Sequence, residues 1–164
     1  MGDAACVPTC AAMQDLMAYL AGTWRIERVV SDRRADAEHR MAGTAWYMPV
    51  RDGLHYTEHV RWTAPDGRLL DGHRRDWLVA TGPWSAEVRF EDGRLFHPLD
   101  LRTGRAEVQH TCVPDHYAGW YALDGRDRHR TGWTVTGPRK NLVIVTTYTR
   151  SPAAATDRTE FNPG

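Results

Sequence analysis

Between Gly22 and Arg150 the chain is cut by turn signals, and this punctuation limits the fold more than any other feature. Asp52-Gly53, Ala64-Pro65-Asp66-Gly67, Thr81-Gly82-Pro83, Asp92-Gly93, Thr103-Gly104, Val113-Pro114, Asp124-Gly125 and Gly137-Pro138 follow one another mostly at strand-length intervals. Gly and Pro preset the dihedrals of such turns. The runs between them alternate apolar and polar residues with a period of two, the mark of a half-buried strand. The spacing predicts ten strands, at about 22–31, 39–50, 54–63, 68–80, 84–91, 94–101, 105–112, 115–123, 128–136 and 141–150. Ahead of them Met13, Leu16, Met17 and Leu20 recur at helical spacing, which predicts a short helix over 12–20. Strands joined by turns, with no helix between them, form an antiparallel meander.

Ten strands in one sheet of this size curl, and closure removes the exposed edges. The expected fold is all-β: a closed antiparallel up-and-down β-barrel of about ten strands, with the short N-terminal helix closing one end. A two-sheet sandwich is the alternative. Gly22 sits where the helix must stop and the first strand start, a change glycine makes cheaply. In a closed sheet the first and last strands pair. Trp24, the first large inward residue, would then meet Arg150 on the last strand, indole face against guanidinium. Residues 1–11 read as a flexible N-terminus, 12–150 as the barrel domain and 151–164 as a disordered, Pro/Ala/Thr-rich tail.

Gly22-Thr23-Trp24 on the first strand, with Arg150 late on the last, resembles the calycin signature of lipocalins and fatty-acid-binding proteins. That resemblance implies a closed antiparallel barrel holding a small apolar ligand. It covers two short stretches and names no ligand. The whole chain is also similar to a lipocalin-like bacterial family without an assigned activity. Phe90 to His97, His110 to Tyr117 and Gly137-Pro138-Arg139-Lys140 carry this second resemblance, which implies no reaction.

Composition removes several functions. The chain has 164 residues, enough for one domain with a real core, and its formal net charge is zero. A nucleic-acid or membrane-surface binder would need a basic excess. No segment approaches the roughly 20 apolar residues that span a bilayer. No signal peptide is visible, so a cytoplasmic protein is expected. The sequence leaves room for a homodimer and does not fix the oligomeric state. Cys6, Cys10 and Cys112 are an odd number and imply no disulfide framework. Lys140 is the only lysine.

Alternation assigns faces once Trp24 points inward. The inner set then includes Arg28 on the first strand, Tyr56, Glu58 and Trp62 on the third, and Tyr148 on the last. Leu69, Asp71, His73, Arg75, Trp77 and Val79 face inward on the fourth strand. Trp84, Ala86, Val88 and Phe90 do so on the fifth, and Leu95, His97, Leu99 and Leu101 on the sixth. Ala106, Val108, His110 and Cys112 follow on the seventh, then His116, Ala118, Trp120 and Ala122 on the eighth and Trp133 on the ninth. A slip of one residue, or a bulge, inverts any of these.

This inner face is too polar for a filled core. Unpartnered buried polar groups cost about 1–3 kcal/mol each, against a total stability of about 5–15 kcal/mol. They pair with one another, or meet water or a ligand in a cavity. The leading expectation is binding of a small apolar or aromatic molecule in the barrel. Tyr56, Trp62, Arg75, Trp77, Cys112, Trp120, Trp133 and the rim residue Lys140 are the candidate ligand contacts. The second expectation is a cofactor-independent isomerase or cyclase in the same cavity, with His97, His110, Glu58, His73 and Tyr148 as acid and base candidates. A haem-binding barrel, using an inward histidine, is a further alternative. A structural or interaction module with an incidental pocket is weaker still. His97, His110 and Cys112 fall short of a familiar metal-ligand pattern, so neither metal nor cofactor is expected.

Overall fold

The structure, a computed structural model, describes residues 15–152. The expectations for residues 1–11, Cys6, Cys10, Met13 and most of the tail lie outside the described residues. One short helix, α1 (Leu16–Leu20), precedes ten strands. These are β1 (Gly22–Asp32), β2 (Ala37–Val50), β3 (Gly53–Thr63), β4 (Leu69–Gly82) and β5 (Ser85–Phe90). Then come β6 (Leu95–Asp100), β7 (Arg105–Cys112), β8 (Asp115–Leu123), β9 (Arg128–Thr136) and β10 (Asn141–Arg150). All pairings are antiparallel, in the order β6-β5-β4-β3-β2-β1-β10-β9-β8-β7. The sheet is a meander rolled into a nearly closed barrel. Among the described residues no ladder joins β6 to β7. That seam is held by their connecting turn and by side chains, with His97 Nε2 3.1 Å from the Tyr121 hydroxyl. No helix of the described residues is long and apolar enough to cross a membrane.

The first and last strands meet as the pattern predicts. Trp24 pairs with Arg150 at one end of the β1–β10 ladder and Asp32 with Leu142 at the other. The Arg150 guanidinium lies 4.2 Å from the centre of the fully buried Trp24 ring. Gly22, at φ +114°, makes the turn from α1 into β1 in a region that side chains disfavour. Asp15 caps α1 by accepting from the Ala18 amide at 2.7 Å. Leu16, Tyr19 and Leu20 then plug this end of the barrel with Trp24, Ile26 and Leu101. We call it the closed end.

At the open end β1 to β4 overhang. The last pair that joins β4 to β5 is Asp76↔Phe90, so Arg74 and everything before it project past the β5–β6 hairpin. The mouth therefore has a high wall and a low lip.

Three strands depart from the expected faces. On β4 the cross-strand pairs are Trp62↔Leu70, Val60↔Gly72, Glu58↔Arg74, Tyr56↔Asp76 and Leu54↔Leu78. Leu70, Gly72, Arg74, Asp76 and Leu78 are the inner set, and His73, Arg75 and Trp77 lie outside. On β8, His110↔Tyr117 and Ala106↔Tyr121 place Tyr117 and Tyr121 inside and Trp120 outside. On β6 a register shift opposite Val88 and Arg89 turns Leu95 out and Phe96 in, so Phe96 and His97 are both buried.

Candidate functional site

The barrel encloses a cavity of about 280 Å³. Its wall is mainly apolar and aromatic: Leu78, Val88, Phe96, Leu99, Trp133 and Val135 line it. Polar groups enter this wall at three places.

The first is a network on β1, β3 and β10. Arg28 donates from Nη1 and Nη2 to the two Glu58 carboxylate oxygens at 2.7 and 2.8 Å, and from Nε to the Thr146 hydroxyl at 2.8 Å. The Tyr56 phenol donates to Glu58 and lies 3.2 Å from the Tyr148 hydroxyl. Burial opposes the Glu58 charge. The Arg28 hydrogen bonds and charge, with the Tyr56 hydroxyl, outweigh it and hold the carboxyl below its usual range. Burial keeps both phenols protonated. With the Tyr56 proton turned to Glu58, Tyr148 donates to Tyr56 and leaves its own oxygen free to accept from a bound molecule.

The second place is on β4. Arg74 donates from Nε to Asp76 at 2.5 Å, and its guanidinium lies 5.3 Å from the Phe96 ring centre. Neither Arg74 Nη nitrogen has a hydrogen-bond partner among the described residues. The arginine lines both the cavity and the groove that leads out over the low lip. Burial pushes the Asp76 carboxyl up, against the pull of Arg74.

The third is His129, near the closed end. Its ring stacks on Tyr148 at 4.3 Å and meets the Trp24 ring edge-on at 4.6 Å. Its Nε2 is buried without a partner among the described residues. Burial, with the nearby Arg150 charge, lowers its pKa to about 3, so the ring is neutral.

Of the expected residues, Tyr56, Glu58, Trp133 and Tyr148 line the cavity. His97 is buried in the seam and does not. Its Nδ1 is 2.9 Å from the Pro98 carbonyl, its Nε2 faces Tyr121, and burial lowers its pKa to about 4. His110 stands in the mouth groove, 5.0 Å from Phe96, with Cys112 exposed at the rim. Trp62 is on the inner face of the overhang, packed over Gly72, beyond the cavity. Lys140 is at the open end, but Asp115 takes its charge at 2.7 Å.

The remaining expectations need correction. His73 stacks on His59 on the outer face, at 4.5 Å. Arg75 forms an exposed pair with Glu91 at 3.1 Å. Trp77 stacks on His55 at 4.2 Å, also outside. Trp120 packs over Gly132, where any Cβ would collide with its indole, and sits under the Arg130 guanidinium. The inverted faces of β4 and β8 account for all four. Arg74, Asp76, Tyr117 and Tyr121 are the residues that the inverted faces hid, and His129, on the same face of β9 as Trp133, was also not among the expected site residues. Among the described residues no group of three or more His, Cys, Asp or Glu could hold a metal ion.

Comparison with known proteins supports the architecture. In structure the chain is similar to an S-type phycobiliprotein lyase, CPES, from Guillardia theta, at 8% identity and a TM-score of 0.62, over 84% of this chain and 92% of that one. A redesigned β-barrel is similar at 14% identity and a TM-score of 0.43, over 87% of this chain and 100% of that one. No curated protein matches the chain in sequence. A family model described as "Family of unknown function (DUF6314)" matches residues 20–150, and the chain belongs to that family.

Proposed function

We propose that this member of the DUF6314 family is a binding barrel for a small, flat, largely apolar molecule with a few polar handles. The observation that carries the proposal is the lining. An enclosed, mostly aromatic and aliphatic space is crossed by one ordered polar network, Arg28–Glu58–Tyr56–Tyr148, whose outermost oxygen is left with accepting capacity. An apolar cavity of roughly 150 Å³ holds benzene, so about 280 Å³ suits a molecule of one or two rings. The likeness to a phycobiliprotein lyase contributes the barrel and nothing about the occupant.

Titration with the neutral two-ring dye 6-propionyl-2-dimethylaminonaphthalene, followed by its fluorescence, tests this. One-to-one binding that weakens at least tenfold in Ile144→Trp, which fills the cavity, is the expected result. Equal binding in the filled variant, with its fold verified by circular dichroism, would remove the cavity as the site.

A second reading, an acid–base isomerase or cyclase in the same space, has one observation in its favour. Two carboxyls share the cavity, Glu58 held low and Asp76 pushed up, the division of labour expected of a base and an acid. Glu58, however, has both oxygens taken by Arg28 and one also by Tyr56, which leaves it a scaffold rather than a base. On this reading Asp76, raised by burial although paired with Arg74, would have to supply the proton, and Asp76→Asn would abolish turnover while sparing binding. The haem alternative gains nothing from His97, both of whose ring nitrogens are engaged.

A further inference from the structure

The two inward arginines of the cavity differ in what they have left to give. Arg28 uses Nε, Nη1 and Nη2 on Thr146 and Glu58. Arg74 uses only Nε, on Asp76, and its two Nη groups have no acceptor among the described residues. The Arg74 side chain remains 42% exposed although it belongs to the inner set of β4. The cause is its register. It lies two residues past the last β4–β5 pair, so it leans over the low lip at the junction of cavity and groove.

Among the neighbouring cations, Arg75 spends Nη1 on Glu91 and Lys140 is paired with Asp115. Arg94 binds Asp92 through Nε alone, but its side chain is 77% exposed over Phe90 and lines the groove, not the cavity, so Arg74 is the cation whose free fork reaches the enclosed space. Around Arg74 the lip is aromatic. Phe90 and Phe96 rings are 4.8 Å apart, and Phe96 stacks on Trp133 at 5.2 Å and 22°. That sequence of rings runs from the mouth into the cavity, since Phe96 and Trp133 line it.

We propose that the ligand is a planar aromatic or conjugated carboxylic acid, whose carboxylate is held by the free Nη fork of Arg74 while its ring lies against Phe96 and Trp133. This rests on the binding function proposed above and narrows its ligand class. A guanidinium edge with two parallel N–H donors matches a carboxylate in plane and spacing. Aromatic walls on one side of that edge select a flat body. Asp76 already balances the Arg74 charge, so a bound anion adds uncompensated charge beside that carboxyl, one unit for a carboxylate and two for a dianionic phosphate, and the smaller burden points to the carboxylate.

The test compares 2-naphthoate with its neutral isostere 2-naphthamide, by tryptophan fluorescence titration of the full chain. The wild type should bind the acid at least tenfold more tightly than the amide. Arg74→Met should erase that preference and leave amide binding within about twofold, because the apolar stem is retained. Arg74→Lys should keep part of the preference, since a point charge remains without the fork. Arg75→Met, one residue away and outside, should behave as wild type. Equal affinity for acid and amide in the wild type would overturn the proposal, and so would a preference that survives Arg74→Met. If neither compound binds, the binding function itself fails, a different outcome from amide binding without discrimination. Thermal melts of each variant separate lost affinity from lost folding.

Discussion

The closed end and the open end of this barrel each carry an inward arginine, and they use it in opposite ways. At the closed end the Arg150 fork is spent. It donates to the carbonyls of Tyr19, Ala21 and Arg126 and to Asp127, and it covers the Trp24 ring. Those carbonyls include ones at the end of α1 that have no partner within the helix, so one cation caps the helix and locks the plug. The Trp24 indole donates to the Leu20 carbonyl at 2.7 Å, which ties β1 to the same plug. At the open end Arg74 is held by one nitrogen and offers two. The difference separates groups whose hydrogen bonds are completed by the fold from a group whose hydrogen bonds remain to be completed by something else.

Arg28 belongs with the first kind, and breaking it should give the largest effect. Arg28→Met leaves Glu58, whose side chain is 4% exposed, as a buried carboxylate without its cation. Removing one partner of a buried pair costs about 3–5 kcal/mol. Replacing both, as Arg28→Met with Glu58→Leu, should recover most of that loss, because no buried charge is left unpaired and the Tyr56 hydroxyl can turn to Tyr148, although the Thr146 hydroxyl loses its Arg28 donor. Urea midpoints of the single and double variants check this. If the single variant is as stable as wild type, water reaches Glu58 freely and the pair is not part of a dry frame.

Acid should weaken the closed end and the seam before it weakens the mouth. His129 and His97 have pKa values lowered from 6.5 to about 3 and about 4 by burial. The unfolded chain therefore binds more protons than the folded one between those values and 6.5, and stability falls as pH falls through that window. Each pKa unit is worth about 1.4 kcal/mol, so each imidazole should cost about 2 kcal/mol by pH 5. His129→Phe removes one of the two contributions and the unpartnered Nε2 with it. Its unfolding free energy should change less between pH 7 and pH 5 than that of the wild type. An unchanged slope would mean that His129 is hydrated.

The same contrast explains what the sequence disclosed. Strands β1, β3, β5, β9 and β10 were assigned correctly, because their inner faces are the more apolar ones: Trp24 and Ile26, Leu54 and Val60, Ala86 and Val88, Trp133 and Val135, Ile144. The Trp24–Arg150 meeting followed from closure alone. On β4 and β8 hydrophobic alternation pointed outward. The inner face of β4 carries Gly72, Arg74 and Asp76, while Trp77 and Val79 are outside. A polar stretch in the wall of an otherwise apolar cavity is thus disguised as a solvent face. Loop length held the missing information. Thr63↔Leu69 leaves a tight connection in which Gly67, at φ +83°, takes the left-handed position, so Trp62 faces with Leu70. Cys112↔Asp115 leaves only Val113-Pro114 between strands, so His110 faces with Tyr117. Counting through those two turns would have recovered Arg74, Asp76, Tyr117 and Tyr121. The bulge at Phe96 left no comparable mark, whereas His129 shares the inner face of Trp133 and Val135 on β9 and follows from the same alternation, with the ladder bringing it beside Tyr148.

The smallest expected effect is also the sharpest check of that register. Trp77 reads from sequence as one of the aromatic walls of the cavity, yet its ring lies on His55 outside, and its Nε1 donates to the Glu91 carbonyl at 3.1 Å. Trp77→Ala removes one exposed aromatic stack, worth about 0.5–1.5 kcal/mol, and changes nothing in the cavity. Its affinity for 2-naphthamide should stay within about twofold of wild type, while Ile144→Trp, on the inner face, loses binding. A tenfold loss of affinity in Trp77→Ala, with folding intact, would place that indole inside. It would shift β4 by one residue and carry Arg74 and Asp76 out of the barrel with it.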